Sequence, residues 1–321
     1  ALEAGGLLAP LHKELLEARS ALADSHSVAI VGVDAATTSW LCSAVERSLG
    51  PHRVSRISLS APVSVDEKAA WFANDGTSSN TRILTGFEWL FTLKPGGLAP
   101  LERFVQGLTE SGPGARGWLI RATPHVWNHA GALTGVSSVI GRVLEVAPLT
   151  VDDLAHAVLA RHQMSGYTMS VSTFDDVGWR LQYLFLRSAD LDERRRQAWF
   201  RTLHAASGGV VHDALLRWMA SIETIDDAGA QLEVGTVPRP PFARLDRLPD
   251  QTKLVLLQVV RQGWMDETLY ASLFRDSPAE ASSELGRLLR DGLLQKQHNR
   301  YQLPPHLVVS IHRMLTARGW L

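Results

Sequence analysis

Five short apolar segments, separated by longer stretches, dominate the first half of the chain. They predict strands at 28–32, 54–59, 82–84, 118–122 and 143–146. The stretches between and before them predict helices at 11–23, 39–49, 66–73 and 100–110. Strands that are apolar throughout are typical of parallel sheets covered on both faces, because parallel strands need long crossover connections. The fold class is therefore α/β, with a five-stranded parallel sheet.

The second half of the sequence predicts helices, a linker and a small domain. The sequence predicts no further strand directly after Pro148. Thr150 begins the first helix of an all-helical block, and further helices are predicted at 176–188, 192–206 and 209–222. Three prolines at 238–241 mark a linker. Beyond it lie predicted helices at 250–262, 265–273 and 278–291, a hairpin at 293–303 and a last helix at 305–318. Three helices followed by a β-hairpin form the pattern of a winged helix.

These elements divide the chain into five predicted segments. They are an N-terminal helix at 1–24, an α/β core at 25–148, a helical lid at 149–236, a linker at 237–243 and an α+β winged-helix domain at 244–321.

The turn after the first strand partly matches a phosphate-binding loop. That loop needs backbone N–H groups around the phosphates, a lysine on the β- and γ-phosphates and a hydroxyl on Mg²⁺. Laid against G-x-x-x-x-G-K-[ST], the chain keeps Gly32 and Ser39, but Thr37 replaces the second glycine and Thr38 the lysine. A second interpretation stays open, in which Gly32 only ends a strand and the three hydroxyls only cap a helix.

The succession of five strands, a helical lid and a winged helix resembles the AAA+ family of P-loop ATPases. Within that family it is similar to the replication-initiator-like and STAND-like signal-transducing branches. The resemblance covers residues 25–321 and rests on architecture more than on motifs. It implies that a degenerate nucleotide site would contain Gly32, Thr37, Thr38, Ser39 and, from the lid, His212.

The resemblance also implies that nucleotide-contacting residues are replaced. The third strand leads into Thr85, where the family carries an acidic pair, with Glu88 nearby. Segment 209–215 resembles the family's G-D-x-R-x-A-L, with His212 in place of the sensor arginine. Arg142 falls where the family often carries an arginine finger, so Glu88 and Arg142 are the two catalytic candidates. Without the lysine, the strand acid and the sensor arginine, useful hydrolysis is not expected.

The leading hypothesis is a non-hydrolysing AAA+-like regulatory or scaffold module that acts through self-assembly or a protein partner. No cofactor is expected, and binding of ATP or ADP with Mg²⁺ is the alternative to that expectation. One competing hypothesis is an ATP-dependent switch that keeps Ser39, Glu88 and Arg142. Another is a DNA-binding initiator-like protein that uses the winged helix.

Charge weighs against nucleic acid as the main partner. The net charge is −1, and the helix at 278–291 carries three acids and two arginines, whereas a recognition helix should be basic. Lys296 and Arg300 at the hairpin are the DNA-binding candidates. Trp89 falls on an apolar face of its predicted element, which favours core packing. The crowding of Phe87, Trp89 and Phe91 after the third strand instead predicts an exposed docking surface for a protein, and both interpretations stay open.

Several further features bear on the compartment of the protein and on whether it binds a membrane or a metal. The one cysteine, Cys42, is predicted to be a buried thiol, which suits a reducing, cytoplasmic compartment. No apolar run is long enough to span a bilayer, so no membrane contact is expected. His125 and His129 lack the acid of a zinc motif, so no metal is expected. The start at Ala1 suggests a segment of a longer protein.

Overall fold

The computed structural model describes residues 9–24, 26–50, 53–62, 81–92, 96–110, 117–172, 188–226, 228 and 230–321. The chain divides into two units. The first unit contains residues 11–147, 248–304 and 315–321, and the second contains 1–10, 148–247 and 305–314. The predicted helix at 66–73 and nearly all of that at 176–188 lie outside the described residues.

Five strands of the first unit form the predicted parallel sheet. They are β1 (Val28–Gly32), β2 (Val54–Ser58), β3 (Thr81–Thr85), β4 (Trp118–Ala122) and β5 (Arg142–Val146). Their order in the sheet is β2-β3-β4-β1-β5, and every neighbouring pair is parallel. The chain leaves β1 towards β2, yet β4 lies beside β1. The carboxyl end of β1 is therefore a switch point of the topology, where ligands of open α/β sheets bind.

Both faces of this sheet are packed. The helices of the layer are α1 (Ala9–Ala23), α2 (Ala35–Leu49), α3 (Ala99–Glu110), α4 (Pro124–Thr134) and α5 (Val136–Val139). Successive β1 residues point to opposite faces, so Val28 and Ile30 join one core cluster and Ala29 and Val31 the other. Each large apolar side chain fully buried in this way contributes about 1.5–3 kcal/mol.

The second unit combines helices with a small sheet. Its helices are α6 (Val151–Gln163), α7 (Ser188–Ser207), α8 (Val211–Ala220) and α9 (Phe242–Asp246). Its strands are β6 (Thr168–Val171), β7 (Ile222–Asp226) and β8 (Gln231–Val234), in the order β6-β8-β7. The prediction that this block is all helical is therefore wrong. The strands are short and β7 is largely exposed, so they lack a clear apolar pattern.

The last part of the chain has the elements predicted for it. They are α10 (Asp250–Gln262), α11 (Glu267–Phe274), α12 (Pro278–Arg290), β9 (Gln295–Gln297), β10 (Arg300–Gln302) and α13 (Pro305–Ala317). Strands β9 and β10 form an antiparallel hairpin. Residues 248–304 belong to the same unit as the α/β layer. No helix within the described residues is long and apolar enough to cross a membrane.

Candidate functional site

The turn between β1 and α2 is very short. Strand β1 ends at Gly32 and α2 begins at Ala35, so Val33 and Asp34 alone connect them. Thr37, Thr38 and Ser39 therefore lie inside the first turns of α2 rather than in a loop before it. A turn of two residues offers few backbone N–H groups to surround a phosphate chain.

The two threonine hydroxyls of this turn are bonded within it. Thr37 Oγ1 donates to Asp34 Oδ2 over 2.7 Å. Thr38 Oγ1 lies 3.1 Å from the carbonyl oxygen of Asp34 and 3.3 Å from that of Ala35, and donates to both. Thr38 is 2% exposed. Both hydroxyls are therefore already bonded to oxygens of Asp34 and Ala35, and the Thr38 bonds are of the back-bonding kind that Ser and Thr side chains make inside helices.

Gly32 has a packing reason to be glycine. A Cβ placed on Gly32 would lie 2.7 Å from Thr38 Cγ2 and 3.0 Å from Val146 Cβ. The space beside the end of β1 is therefore filled by a methyl group of the next helix and by the end of β5.

Ser39 contacts a residue that the sequence analysis missed. Arg121 Nη1 donates to Ser39 Oγ and lies 3.4 Å from the carbonyl oxygen of Ala35. Arg121 belongs to β4, which pairs directly with β1, so its guanidinium reaches across the carboxyl edge of the sheet. The signal was available, since Arg121 is the one charged residue in an otherwise apolar strand, Trp118–Ala122.

Glu88 lies in a short 3-10 helix, Phe87–Leu90, which follows β3 after Gly86. Burial raises the pKa of the Glu88 carboxyl, and the positive charge of Arg121 opposes that rise. Thr85, at the end of β3, donates to Ser58 Oγ over 3.0 Å. The edge of the sheet thus holds one half-buried carboxyl and one guanidinium, and the guanidinium is bonded to the start of α2.

Arg142 lies at the other edge of the sheet. It is the first residue of β5, and its Nη2 donates to Glu17 Oε2 over 2.6 Å. The guanidinium is half exposed. Its predicted role as an arginine finger stays a prediction, since such a residue acts on a neighbouring subunit.

His212 is exposed in the first turn of α8, in the second unit. The next residue, Asp213, is buried and forms an ion pair with Arg217, with Nε and Oδ2 2.5 Å apart. Arg217 Nη1 also donates to the carbonyl oxygen of Pro238 over 2.6 Å. The arginine nearest to the predicted sensor position therefore fastens α8 to the start of the linker.

The predicted aromatic docking surface needs correction. Phe87, Trp89 and Phe91 are 0%, 2% and 5% exposed. Phe87 packs against Phe104 and Trp127, with ring centroids 6.3 and 5.8 Å away. Such crowding of aromatic residues along the chain reflects core packing, and a partner in solution cannot reach these rings in this structure.

The hairpin cations contact aromatic rings. Lys296 Nζ lies 4.8 Å from the centroid of the Tyr301 ring and 3.2 Å from its hydroxyl. Arg300 Cζ lies 4.1 Å from the centroid of the Trp264 ring. Cation–π contacts of this kind are worth about 0.5–1 kcal/mol at exposed sites.

Cys42 and His129 both pack against other parts of the fold. Cys42 is buried, as predicted, and burial raises the pKa of its thiol to about 11. His129 packs on Phe91, with centroids 5.7 Å apart. Within the described ranges, no group of three or more histidine, cysteine or acidic side chains could hold a metal ion.

The strand order, the parallel sheet and the helices match the AAA+ P-loop ATPase fold. A structure of Aeropyrum pernix ORC2, solved as ADPNP–ADP complexes, is similar to 99% of this chain and 95% of its own, with 13% identity and a TM-score of 0.51. The Thermotoga maritima RuvB Holliday junction branch migration motor covers 98% and 94% of the two chains at 13% identity, with a TM-score of 0.45. No protein-family profile and no curated protein matches the sequence significantly. At this identity the likeness to ORC2 shows the fold alone.

Proposed function

We propose that this chain is a non-hydrolysing AAA+-like module that regulates or scaffolds through self-assembly or a protein partner. The observation that carries the proposal is the turn between β1 and α2. It has two residues, its threonine hydroxyls are bonded internally, and Ser39 is bonded to Arg121.

The residues present do not fit the phosphates of ATP with Mg²⁺. Thr38 is the counterpart of the P-loop lysine, and it is buried with its methyl group against Gly32. The Ser39 hydroxyl, which would face Mg²⁺, accepts from a guanidinium instead. A cation at that position repels a second cation. No acid occupies the end of β3, where Thr85 bonds to Ser58.

The energetic consequence supports loss of hydrolysis. Removal of one preorganised electrostatic group typically raises a reaction barrier by about 2–4 kcal/mol. The lysine, the strand acid and the sensor arginine are three such groups, and this chain has Thr38, Thr85 and His212 at those positions. Arg121 does not substitute for the lysine, because it is bonded within the fold.

A phosphate-release assay tests the proposal. The protein is incubated with ATP and Mg²⁺, and an active AAA+ ATPase serves as the positive control. We expect release at the rate of buffer alone, and the same result for Glu88→Gln and Arg142→Ala. If the natural chain releases phosphate faster than buffer alone, and if either variant loses that release, the ATP-dependent switch is supported instead.

Sedimentation velocity tests the assembly part of the proposal. The proposed module should form the same oligomers with and without ATP and Mg²⁺. Assembly that requires ATP would contradict the proposal, and binding to duplex DNA with a steep salt dependence would favour the DNA-binding alternative.

A further inference from the structure

The aromatic segment after β3 is covered by a later part of the chain. Trp89 packs against Trp264, with ring centroids 4.7 Å apart and an angle of 38° between the rings. Both residues belong to the first unit, although 174 positions of sequence separate them. The crowded aromatic residues that suggested a docking surface therefore have an occupant from the same chain.

Backbone and amide contacts reinforce this packing. Gln262 is 3% exposed, and its Nε2 donates to the carbonyl oxygen of Phe91 over 3.3 Å. Gly263 ends α10 with φ +80°, a conformation that suits glycine and turns the chain between Gln262 and Trp264. The two side chains on either side of this glycine thus both contact the segment Phe87–Phe91.

The hairpin also contacts Trp264. Arg300 Cζ lies 4.1 Å from the Trp264 centroid. Met265 and Tyr301 exchange two backbone hydrogen bonds, of 2.8 and 2.7 Å, which fix the hairpin beside Trp264. Trp264 thus contacts both Trp89 from the α/β layer and Arg300 from the hairpin.

We propose that Gln262, Trp264 and Arg300 form a clamp that holds residues 248–304 on the α/β layer without a nucleotide. The site for this clamp is the surface of Trp89 and Phe91, and its ligand is the chain's own segment 262–265. The contact contains a buried polar atom, Gln262 Oε1, with no hydrogen-bond partner among the described residues. Unpaired buried polar atoms weaken an interface, so the clamp is suited to opening as well as closing.

The clamp goes beyond the proposed function, and its test uses no nucleotide. Hydrogen exchange measured by mass spectrometry on the full chain follows two regions, 86–92 and 263–265. We expect Trp264→Ala to speed exchange there by about tenfold or more, because a local contact limits local opening. Exchange in α6, which belongs to the second unit, should stay unchanged and serves as the internal control. Unchanged exchange at 86–92 would overturn the clamp.

Two milder variants keep the test decisive if Trp264→Ala destabilises the whole unit. Trp264→Phe keeps an aromatic ring and should restore most of the protection. Arg300→Gln removes the guanidinium from an exposed position and should speed exchange at 263–265 by about two- to fivefold. If Trp264→Phe exchanges as fast as Trp264→Ala, or if Arg300→Gln changes nothing at 263–265, the contacts of Trp264 with Trp89 and Arg300 are not what holds the segment.

Discussion

The turn after β1 and the start of α8 are the two places where the AAA+ resemblance puts nucleotide contacts, and both contain arginines bonded within the fold. At the turn, Arg121 reaches from a neighbouring strand to Ser39. At α8, Arg217 bonds to Asp213 and to the carbonyl oxygen of Pro238. They differ in burial, because Asp213 and Arg217 are nearly inaccessible whereas Arg121 is half-buried. The ion pair of Asp213 with Arg217 should therefore contribute more to stability than the contact of Arg121 with Ser39.

The largest expected effect is at the buried pair. Arg217→Met would leave the Asp213 carboxylate buried without its partner, at a cost of about 3–5 kcal/mol in the free energy of unfolding. Urea denaturation measures this loss. Arg196→Met is the matched control, since its ion pair with Glu193 is exposed and should contribute about 0–1 kcal/mol. Equal losses in the two variants would contradict the difference drawn from burial.

Alanine substitutions at Gly209 and Gly32 compare how tightly the backbone is packed in the two regions. Gly209 has φ +74°, and a Cβ there would lie 2.5 Å from the carbonyl oxygen of Leu149. The Cβ of Gly32→Ala would instead meet the methyl group of Thr38. We expect both alanine variants to lose about 1–3 kcal/mol, with Gly209→Ala at the upper end because its neighbour is backbone. The urea midpoints of the two variants give the order.

A double substitution sharpens the result at the turn. Thr38→Ser removes the methyl group that a Cβ on residue 32 would strike. Gly32→Ala should therefore cost less in a Thr38→Ser background than in the natural chain. The same cost in both backgrounds would mean that the methyl group is not what restricts position 32.

The contact of Arg121 with Ser39 is expected to contribute less. Arg121→Gln should lower the free energy of unfolding by about 1 kcal/mol or less, because the guanidinium is partly solvated. Ser39→Ala should have a similar effect, and the double variant should not add to either one. A double-mutant cycle by urea denaturation measures this coupling, and additive losses would show that the two side chains do not interact.

The smallest effect concerns pH in the second unit. Burial lowers the pKa of His162, which packs on Trp218 with centroids 5.7 Å apart. Its contribution to stability is fully present above the unfolded value of 6.5 and is lost as the pH falls below that value. His162→Phe should therefore weaken the fall in urea midpoint between about pH 7.5 and pH 5. Some fall should remain, since burial also lowers the pKa of His312.

The sequence predicted the α/β layer well because each of its strands contains a short group of apolar residues and helices separate the strands. All five strands of the layer lie within about two residues of their predicted bounds, and so do α10 and α12. Strands β6, β7 and β8 were missed because four or five residues with exposed polar positions carry little periodicity. Trp89 is buried, as its apolar face favoured, but its contact with Trp264 could not be read from local patterns because Trp264 lies far along the chain.

The candidate site could be predicted only in part. The replacements that the AAA+ resemblance implies at Thr38 and Thr85 can be read from the sequence, and they stay a prediction. The position of Arg121 over Ser39 could not, because it depends on the pairing of β4 with β1 in the folded sheet. The partner of Arg217 was likewise hidden, since Pro238 is 21 residues away.

Isothermal titration with ATP in the presence of Mg²⁺ tests the central claim most directly. The claim is that side chains of the chain itself close the turn between β1 and α2. The account predicts no saturable heat with ATP or ADP, which means any dissociation constant is weaker than about 1 mM. It predicts the same for Arg121→Gln, because the two-residue turn remains. Saturable, Mg²⁺-dependent binding at micromolar concentration that is lost in Ser39→Ala would contradict it.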